Sequence, residues 1–294
     1  FAKKLAVNGL QYLGDADFST MVSTNFSPEV AKTLNELGAH DILQMEQYMD
    51  FVRCRYFRKT LICHSGIRLQ RAIDASRVKD LLLASRALPD EGHAPLDPGT
   101  RVTYRAQSGG KITCGATITK LAFRVLEEAW PVPVAFGELL AQCLAEAARA
   151  DHAVDGASAG DFLAGELLTG IAAGVVEWRT TPVRYARSPG GGAPTTSPLA
   201  RLQATQGYKA TNFRGEYVAL DEIHRQTLRL LDGSRSPSAI LDALVSAVKR
   251  GEFVLNPENE KTAVTEETEI RGLLGPALEK VLLNLGKQAF LIAT

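Results

Sequence analysis

Thr117-Ile-Thr-Lys-Leu-Ala-Phe-Arg-Val-Leu-Glu-Glu-Ala-Trp130 carries Ile118, Leu121, Ala122, Val125, Leu126 and Ala129 at steps of one, three or four residues, the spacing of a single helical face. Pro131 and Pro133 close that helix, because proline lacks the amide proton needed to continue it. Downstream, Phe136 to Ala150 repeats the pattern with Leu139, Leu140, Cys143 and Leu144 on one face. Asp151 to Gly160 reads as a loop. Asp161 then serves as the expected N-cap of a third helix carrying Phe162, Leu163, Leu167, Leu168 and Ile171, with Gly174 ending it. Val175 to Thr180 and Val183 to Tyr185 read as strands. Three helices followed by a strand pair is the element order of a winged-helix unit.

Upstream of this block, Arg101 to Ala106 and Lys111 to Cys114 alternate around Ser108-Gly109-Gly110, the pattern of a β-hairpin. A phosphate-binding loop is the rival reading of Ser-Gly-Gly-Lys. It needs a longer glycine-bracketed loop running into a helix, whereas Lys111 is followed by Ile112 and Thr113, so the turn is preferred. Pro89 to Gly99 is loop-like. Further back, Lys3 to Leu13 is expected as a short helix or extended lead-in closed by Gly14. Ser27-Pro28-Glu29 starts a helix that Gly38 stops. A longer helix follows from Asp41, with Ile42, Met45, Met49, Val52 and Tyr56 as one apolar stripe. Arg68 to Ala84 is a third, less regular helical segment.

Downstream, Ser188 to Pro198 is rich in glycine and proline and reads as a flexible connection. Leu220 to Leu231 and Pro237 to Arg250 form a helix–turn–helix pair. The second of these has an apolar face of Ile240, Leu241, Leu244, Val245 and Val248, and Gly251 ends it. A polar stretch, Asn256 to Thr265, precedes a last helix with Ile270, Leu273, Leu274, Leu278, Val281, Leu282 and Leu285; Ala289 to Ile292 closes as a strand. The expected fold class is α+β and predominantly α, with a helical N-terminal domain and winged-helix-like units bearing short hairpins. The expected segments are 1–87, 88–187, a linker over 188–214, and 215–294.

The 294 residues balance 33 Lys and Arg against 33 Asp and Glu, which excludes the basic field of a dedicated nucleic-acid binder. Hydrophobic residues at 45% and charged residues at 22% exclude wholesale disorder. Four cysteines, Cys54, Cys63, Cys114 and Cys143, are too sparse and too widely spaced for a disulfide scaffold or a C-x-x-C pair, and are expected as reduced, mostly buried thiols of a cytoplasmic protein. No apolar run long enough to span a membrane occurs, and Phe1-Ala-Lys-Lys-Leu5 is no secretory signal. The chain opens on Phe1 rather than Met, which points to processing or to a piece of something longer. His40, His64, His93, His152 and His224 are scattered, so no metal site is expected.

The densest stretch is Glu46-Gln-Tyr-Met-Asp-Phe-Val-Arg-Cys-Arg-Tyr-Phe-Arg-Lys-Thr-Leu61. It sets Arg53, Arg55, Arg58 and Lys59 among Tyr56 and Phe57. Guanidinium and aromatic faces together suit carboxylate, phosphate or peptide recognition. The competing reading is a solvated helix face on which Glu46 and Asp50 pair with Arg53 and Lys59.

Gly9 to Phe18, Ser27-Pro-Glu29 and Glu46 to His64 together resemble the methyltransferase regulatory domain, over about residues 5 to 85. That family follows a class I S-adenosylmethionine-dependent methyltransferase domain in bacteria. Thr211-Asn-Phe-Arg-Gly-Glu216, Leu220-Asp-Glu-Ile-His-Arg225 and Leu230-Leu-Asp-Gly233 resemble the C-terminal winged-helix region of the same architecture, as in rickettsial outer-membrane-protein lysine methyltransferases. The donor site of that class needs a strand, a glycine-rich turn and a helix. No such unit is present in this sequence, and its triple glycine, Gly190 to Gly192, lies in the Pro-rich connection. The resemblance therefore implies no catalytic, cofactor or metal residues in this chain, with S-adenosylmethionine belonging to a catalytic domain in cis.

The resulting expectation is a regulatory and substrate-engaging portion of a methyltransferase, acting on a Rossmann-like domain and possible protein acceptors. Glu46, Gln47, Tyr48, Asp50, Arg53 and Arg58 are expected at or near the contact surface. The alternatives are a winged-helix DNA-binding or protein-interaction regulator, and an independent enzyme with a dispersed site.

Overall fold

The computed structural model describes residues 1–38, 41–152, 154–254 and 266–293, so His40 and the polar run over 256–265 lie outside the described residues. Two compact units are present: residues 1–128 with 134–180, and residues 129–133 with 181–294. Helix predominates and the strands are short and antiparallel, so the chain is α+β as expected.

The first unit begins with α1 (Ala2–Val7) and β1 (Leu10–Asp15) in succession. Gly14 lies inside the strand, not after a helix. Next come α2 (Pro28–Leu37), with the Ser27 side chain accepting from the Val30 amide, and α3 (Ile42–Val52), capped by Asp41 accepting from Leu43 at 2.8 Å. The expected stripe through Tyr56 is broken. Helix α3 stops at Val52, and Cys54 takes a φ of 50°, a left-handed turn that helices do not continue through. Met49 is therefore buried, whereas Val52 and Tyr56 are exposed. The chain returns as β2 (Thr60–His64), antiparallel to β1, with a bulge between Tyr12 and Gly14.

The helix expected over 68–84 is not formed. A 3-10 segment at Ala75–Asp80 and the strand β3 (Leu82–Ala84) occupy its second half. Leu81-Leu-Leu83 is a short apolar run, and such runs suit a buried strand as well as a helix. The strands β4 (Leu88–Pro89), β5 (Val102–Arg105) and β6 (Lys111–Cys114) form a sheet in that order, with the expected hairpin turn and a φ of 92° at Gly109.

Helix α4 (Thr117–Ala129), strand β7 (Val134–Ala135), helices α5 (Phe136–Arg149) and α6 (Gly156–Ala172), and strand β8 (Glu177–Arg179) complete the unit. Asp155, not Asp161, caps α6 by accepting from the Ala157 amide; Asp161 lies within the helix and pairs with Lys79 at 2.6 Å. The two glycines at 156 and 160 disguise this first turn, which Ala159 and Leu163 hold by packing inward. Strand β3 is central in the order β7-β3-β8, and Leu83, Leu121, Leu126, Leu139, Leu163 and Leu167 are fully buried.

In the second unit, β9 (Tyr185–Ala186) is followed by α7 (Pro198–Gln206), β10 (Lys209–Thr211), β11 (Tyr217–Ala219), α8 (Glu222–Leu230), α9 (Pro237–Lys249), α10 (Glu267–Lys287) and β12 (Leu291–Ile292). The expected pairing of the strands near 177 and 185 is not found: β8 pairs with β3, and β9 with β12. The stretch 188–214 is also more ordered than a linker. It contains α7, whose Ser197 side chain accepts from the Ala200 amide at 3.0 Å, and β10. Ala200, Leu228, Ile240, Leu244, Ile270 and Leu285 share one core. Asn212 ties the β10–β11 turn to the end of α10. Its Oδ1 accepts from the Arg214 and Glu216 amides, each at 2.9 Å, and its Nδ2 donates to the Gln288 carbonyl at 2.7 Å. No helix among the described residues is long and apolar enough to cross a membrane.

Candidate docking surface

The turn that ends α3 folds the Arg-rich stretch back over its own helix. Arg58, past the turn, bonds to Glu46 and to Asp50 (Nε to Oδ2, 2.6 Å), and its Nη1 lies 3.1 Å from the Tyr12 hydroxyl. Tyr12, on β1, also donates to Glu46. Arg55 reaches Asp15 at 2.8 Å and stands 3.9 Å from Asp50. Arg53 is separate: it donates to the Thr20 carbonyl at 2.6 Å and stacks over the Phe26 ring at 4.3 Å. Glu46 is 1% exposed, so this is an interior network that fastens α3 to the β1–β2 ribbon.

Its electrostatics are internally compensated. Burial alone would raise the Asp15 carboxyl, but the Asp17 amide and the Arg55 guanidinium bond to it and hold it below the usual carboxylate value. Burial raises the Tyr12 phenol, as does its bond to Glu46. Burial disfavours the Arg58 charge, yet bonds to Asp50 and Glu46 outweigh it and strengthen the guanidinium's hold on its proton. None of these groups is poised to exchange protons near neutrality.

Of the six residues expected at a surface, the structure exposes Gln47. Tyr48 is half-buried, with Gln44 donating to its hydroxyl at 3.3 Å; Asp50, Arg53 and Arg58 are half-buried within the contacts above. The pairing of Glu46 and Asp50 is with Arg58 and Arg55, not with Arg53 and Lys59. What faces solvent instead is apolar. Phe51, Val52, Tyr56 and Phe57 are exposed within seven positions, Tyr56 to 98%, and Leu61 and Ile62 on β2 are each 45% exposed. Sequence periodicity missed this because it placed Val52 and Tyr56 in the core. The available clue was Cys54-Arg55 breaking an otherwise continuous helical stripe.

Among the described residues no three His, Cys, Asp or Glu side chains converge to hold a metal ion. Burial pushes the Cys114 thiol up to about 11 and the Cys143 thiol to about 12, so both stay protonated and unreactive. Cys54 is exposed and Cys63 half-buried, so only half of the cysteines are core residues.

Two family models match the chain: the predicted methyltransferase regulatory domain over residues 1–64, and the PKMT C-terminal winged helix domain over residues 193–290. An uncharacterized protein of Rickettsia prowazekii (strain Madrid E) is 26% identical over 295 aligned residues, which cover 97% of this chain and 52% of that protein. The structures of PKMT2 from Rickettsia typhi, with AdoHcy and without it, superpose over 100% of this chain and 57% of theirs, with TM-scores of 0.81 and 0.80 at 21% identity. This chain thus spans about half the length of the relatives it matches. Its described fold and these matches agree on one conclusion: residues 1–64 are similar to the predicted methyltransferase regulatory domain and residues 193–290 to the PKMT C-terminal winged helix domain.

Proposed function

We propose that this chain is the regulatory and acceptor-engaging part of an S-adenosylmethionine-dependent protein methyltransferase of the lysine-modifying type. It works by contact between the Phe51–Phe57 surface and a class I catalytic domain in the same polypeptide. The observation that carries this reading is the combination, within the regulatory-domain match, of four exposed apolar side chains and an interior ion network that fixes the turn bearing them. A preformed apolar turn loses little freedom when it docks, so its burial translates into binding. Once docked, it contributes no reacting group. It raises the rate by holding the acceptor in line with the donor methyl or by closing the site to water. AdoHcy, bound by the Rickettsia typhi relative, is what the methyl donor leaves behind. The four free cysteines fit a reducing compartment, and we place the protein in the cytoplasm.

The test compares Tyr56→Ser/Phe57→Ser with Arg53→Ala and Arg58→Ala in binding to the separately produced catalytic domain, with methyl transfer measured in parallel. Losing two aromatic anchors is expected to weaken binding by about a hundredfold, roughly 3 kcal/mol. Arg53→Ala and Arg58→Ala are expected to act indirectly, in proportion to their loss of stability. Unchanged binding and unchanged transfer in the double variant would remove this surface from the proposal.

A further inference from the structure

The β1–β2 ribbon of the first unit is a two-stranded sheet, so each strand has one edge with no strand beside it among the described residues. Backbone pairing fixes which groups lie on those edges. The Ser65 amide donates to the Gly9 carbonyl at 2.9 Å, and the Ala16 amide to the Lys59 carbonyl at 2.7 Å. Alternation along β2 then turns the backbone groups of Leu61 and Cys63 toward β1. It sends the N–H and C=O of Thr60 and Ile62, with the N–H of His64, outward. On the free edge of β1, the Arg71 guanidinium covers the Tyr12 and Leu13 carbonyls at 2.7 and 2.9 Å. On β2, the outward groups of Thr60 and Ile62 have no hydrogen-bond partner among the described residues, and the Leu61 and Ile62 side chains beside them are exposed. Proteins ordinarily blunt such an edge with a charge, a bulge or a cover, because a bare row of amides and carbonyls is a template for another strand.

What borders the edge sets the chemistry of its occupant. A row of unpaired main-chain donors and acceptors recognises an extended backbone, and Leu61 and Ile62, on opposite faces of β2, favour apolar residues along it. Charge sets the flanks. The stretch from Tyr56 to Gln70 contains Arg58, Lys59, His64 and Arg68 and no Asp or Glu. Nearby carboxylates are already engaged, Asp15 by Arg55, and Glu46 and Asp50 by Arg58. Lys59 and Arg68, by contrast, are exposed and have no ion pair among the described residues. A second copy of this chain fits badly. Self-pairing about Ile62 would bring these same cations together, and it would set Thr60 against His64, whose carbonyl already accepts from the Ile67 amide at 3.1 Å and Gln11 Nε2 at 3.0 Å. The docking turn ends at Phe57, just before β2 begins at Thr60, so an added strand would lie beside the contact assigned to the catalytic domain. On the acceptor-engaging role given above, on which this step rests, we propose that the outer edge of β2 takes an extended apolar segment of the acceptor protein, flanked by acidic residues, as a third strand of the ribbon.

The test titrates the full chain, without any catalytic domain, into a fluorescently labelled peptide of about ten residues, an alternating valine–threonine core between glutamates, and reads anisotropy. The expected Kd is about 100 μM or tighter. The same peptide with lysines in place of the glutamates is expected to bind about fivefold or more weakly at low salt. N-methylation of the core amides, which removes main-chain donors and keeps the side chains, is expected to weaken binding by about tenfold or more. Ile62→Pro, whose lost N–H faces away from β1, is expected to have an effect of the same size; if that variant fails to fold, the N-methylated peptide decides with the unmodified chain. Lys59→Glu is expected to remove the preference for glutamate flanks. Binding of the catalytic domain is read separately, in the Tyr56→Ser/Phe57→Ser variant, so failure of either role is distinguishable from failure of the other. Undiminished binding of the N-methylated or the lysine-flanked peptide, or no binding at about 1 mM, would overturn the proposal. So would displacement of the peptide by the catalytic domain, or a dimer of the chain alone that Ile62→Pro dissolves, since either gives the edge to another occupant.

Discussion

Arg58 touches Tyr12, Glu46 and Asp50 together, and its value lies in what its removal would strand. Glu46 is buried, and without Arg58 its charge keeps, among the described residues, only the Tyr12 hydroxyl as a hydrogen-bond donor. Breaking a buried pair on one side costs about 3–5 kcal/mol, so Arg58→Met should lower the urea midpoint of the chain by that equivalent. Arg58→Lys should recover only part of the loss, because a point charge cannot reach two carboxylates as a planar fork does. Midpoints equal to wild type in both variants would show that the network is dispensable. Glu222 makes a different prediction. Its bond to Arg225 lowers its carboxyl from 4.5 to about 2, against an opposing contribution from burial. The protein therefore gains stability from this group above pH 4.5 and loses it as pH falls toward about 2. Glu222→Gln should flatten the pH dependence of the unfolding midpoint in that window; a slope identical to wild type would contradict it. The sequence exposed Glu46, Asp50 and Arg58 as a dense motif but not their geometry. Tyr12 is 34 positions from Glu46, and Asp15 is farther still from Arg55, so no local spacing rule could join them.

Helices with a clean apolar period and capping residues were legible: α2, α4, α5, α8, α9 and α10 stand within a few residues of their expected bounds. Expectation failed where tertiary contact decided the outcome. Leu82 and Leu83 enter a sheet because β7 and β8 are there to pair with them, and α7 follows a glycine- and proline-rich run that looks like a linker until Ala200 and Ala204 are buried. The β1–β2 ribbon joins strands some fifty residues apart, beyond any hairpin signal. One close approach shows how tightly such contacts are set. A Cβ at Gly286, in the last turns of α10, would stand 1.8 Å from the Arg187 carbonyl oxygen, whereas one at Gly272 would meet nothing within 4 Å. Helix propensity alone favours alanine at both by about 1 kcal/mol. Gly272→Ala should therefore raise the thermal midpoint, while Gly286→Ala should lower stability by about 3 kcal/mol or more, since a backbone carbonyl cannot move aside cheaply. Equal effects at the two positions would mean that the backbone at Arg187 does not approach α10 this closely.

The same fold serves different ends on different proteins, so helix–turn–helix geometry in the second unit does not itself specify a nucleic-acid partner. Charge does discriminate. Residues 215–294 hold nine Lys and Arg against twelve Asp and Glu, a net of −3. A duplex reader needs free cations along the helix it inserts. On α9 the cations are confined to the end, and they are already engaged: Lys249 pairs with Glu267 and, just past the helix, Arg250 with Glu252, each at 2.7 Å. Mid-helix, the exposed Asp242 holds Arg271 at 2.7 Å, which places negative charge where phosphates would lie. Freeing these cations would break three ion pairs and still leave the surface acidic. Duplex DNA is accordingly expected to show no saturable fluorescence-anisotropy change with the full chain up to about 10 μM at about 0.15 M salt, and at low salt only weak binding that disappears on salt addition. Binding that persists at physiological salt, with a log–log salt slope steeper than about −4, would require several free phosphate contacts and would reassign the winged helix as a nucleic-acid module.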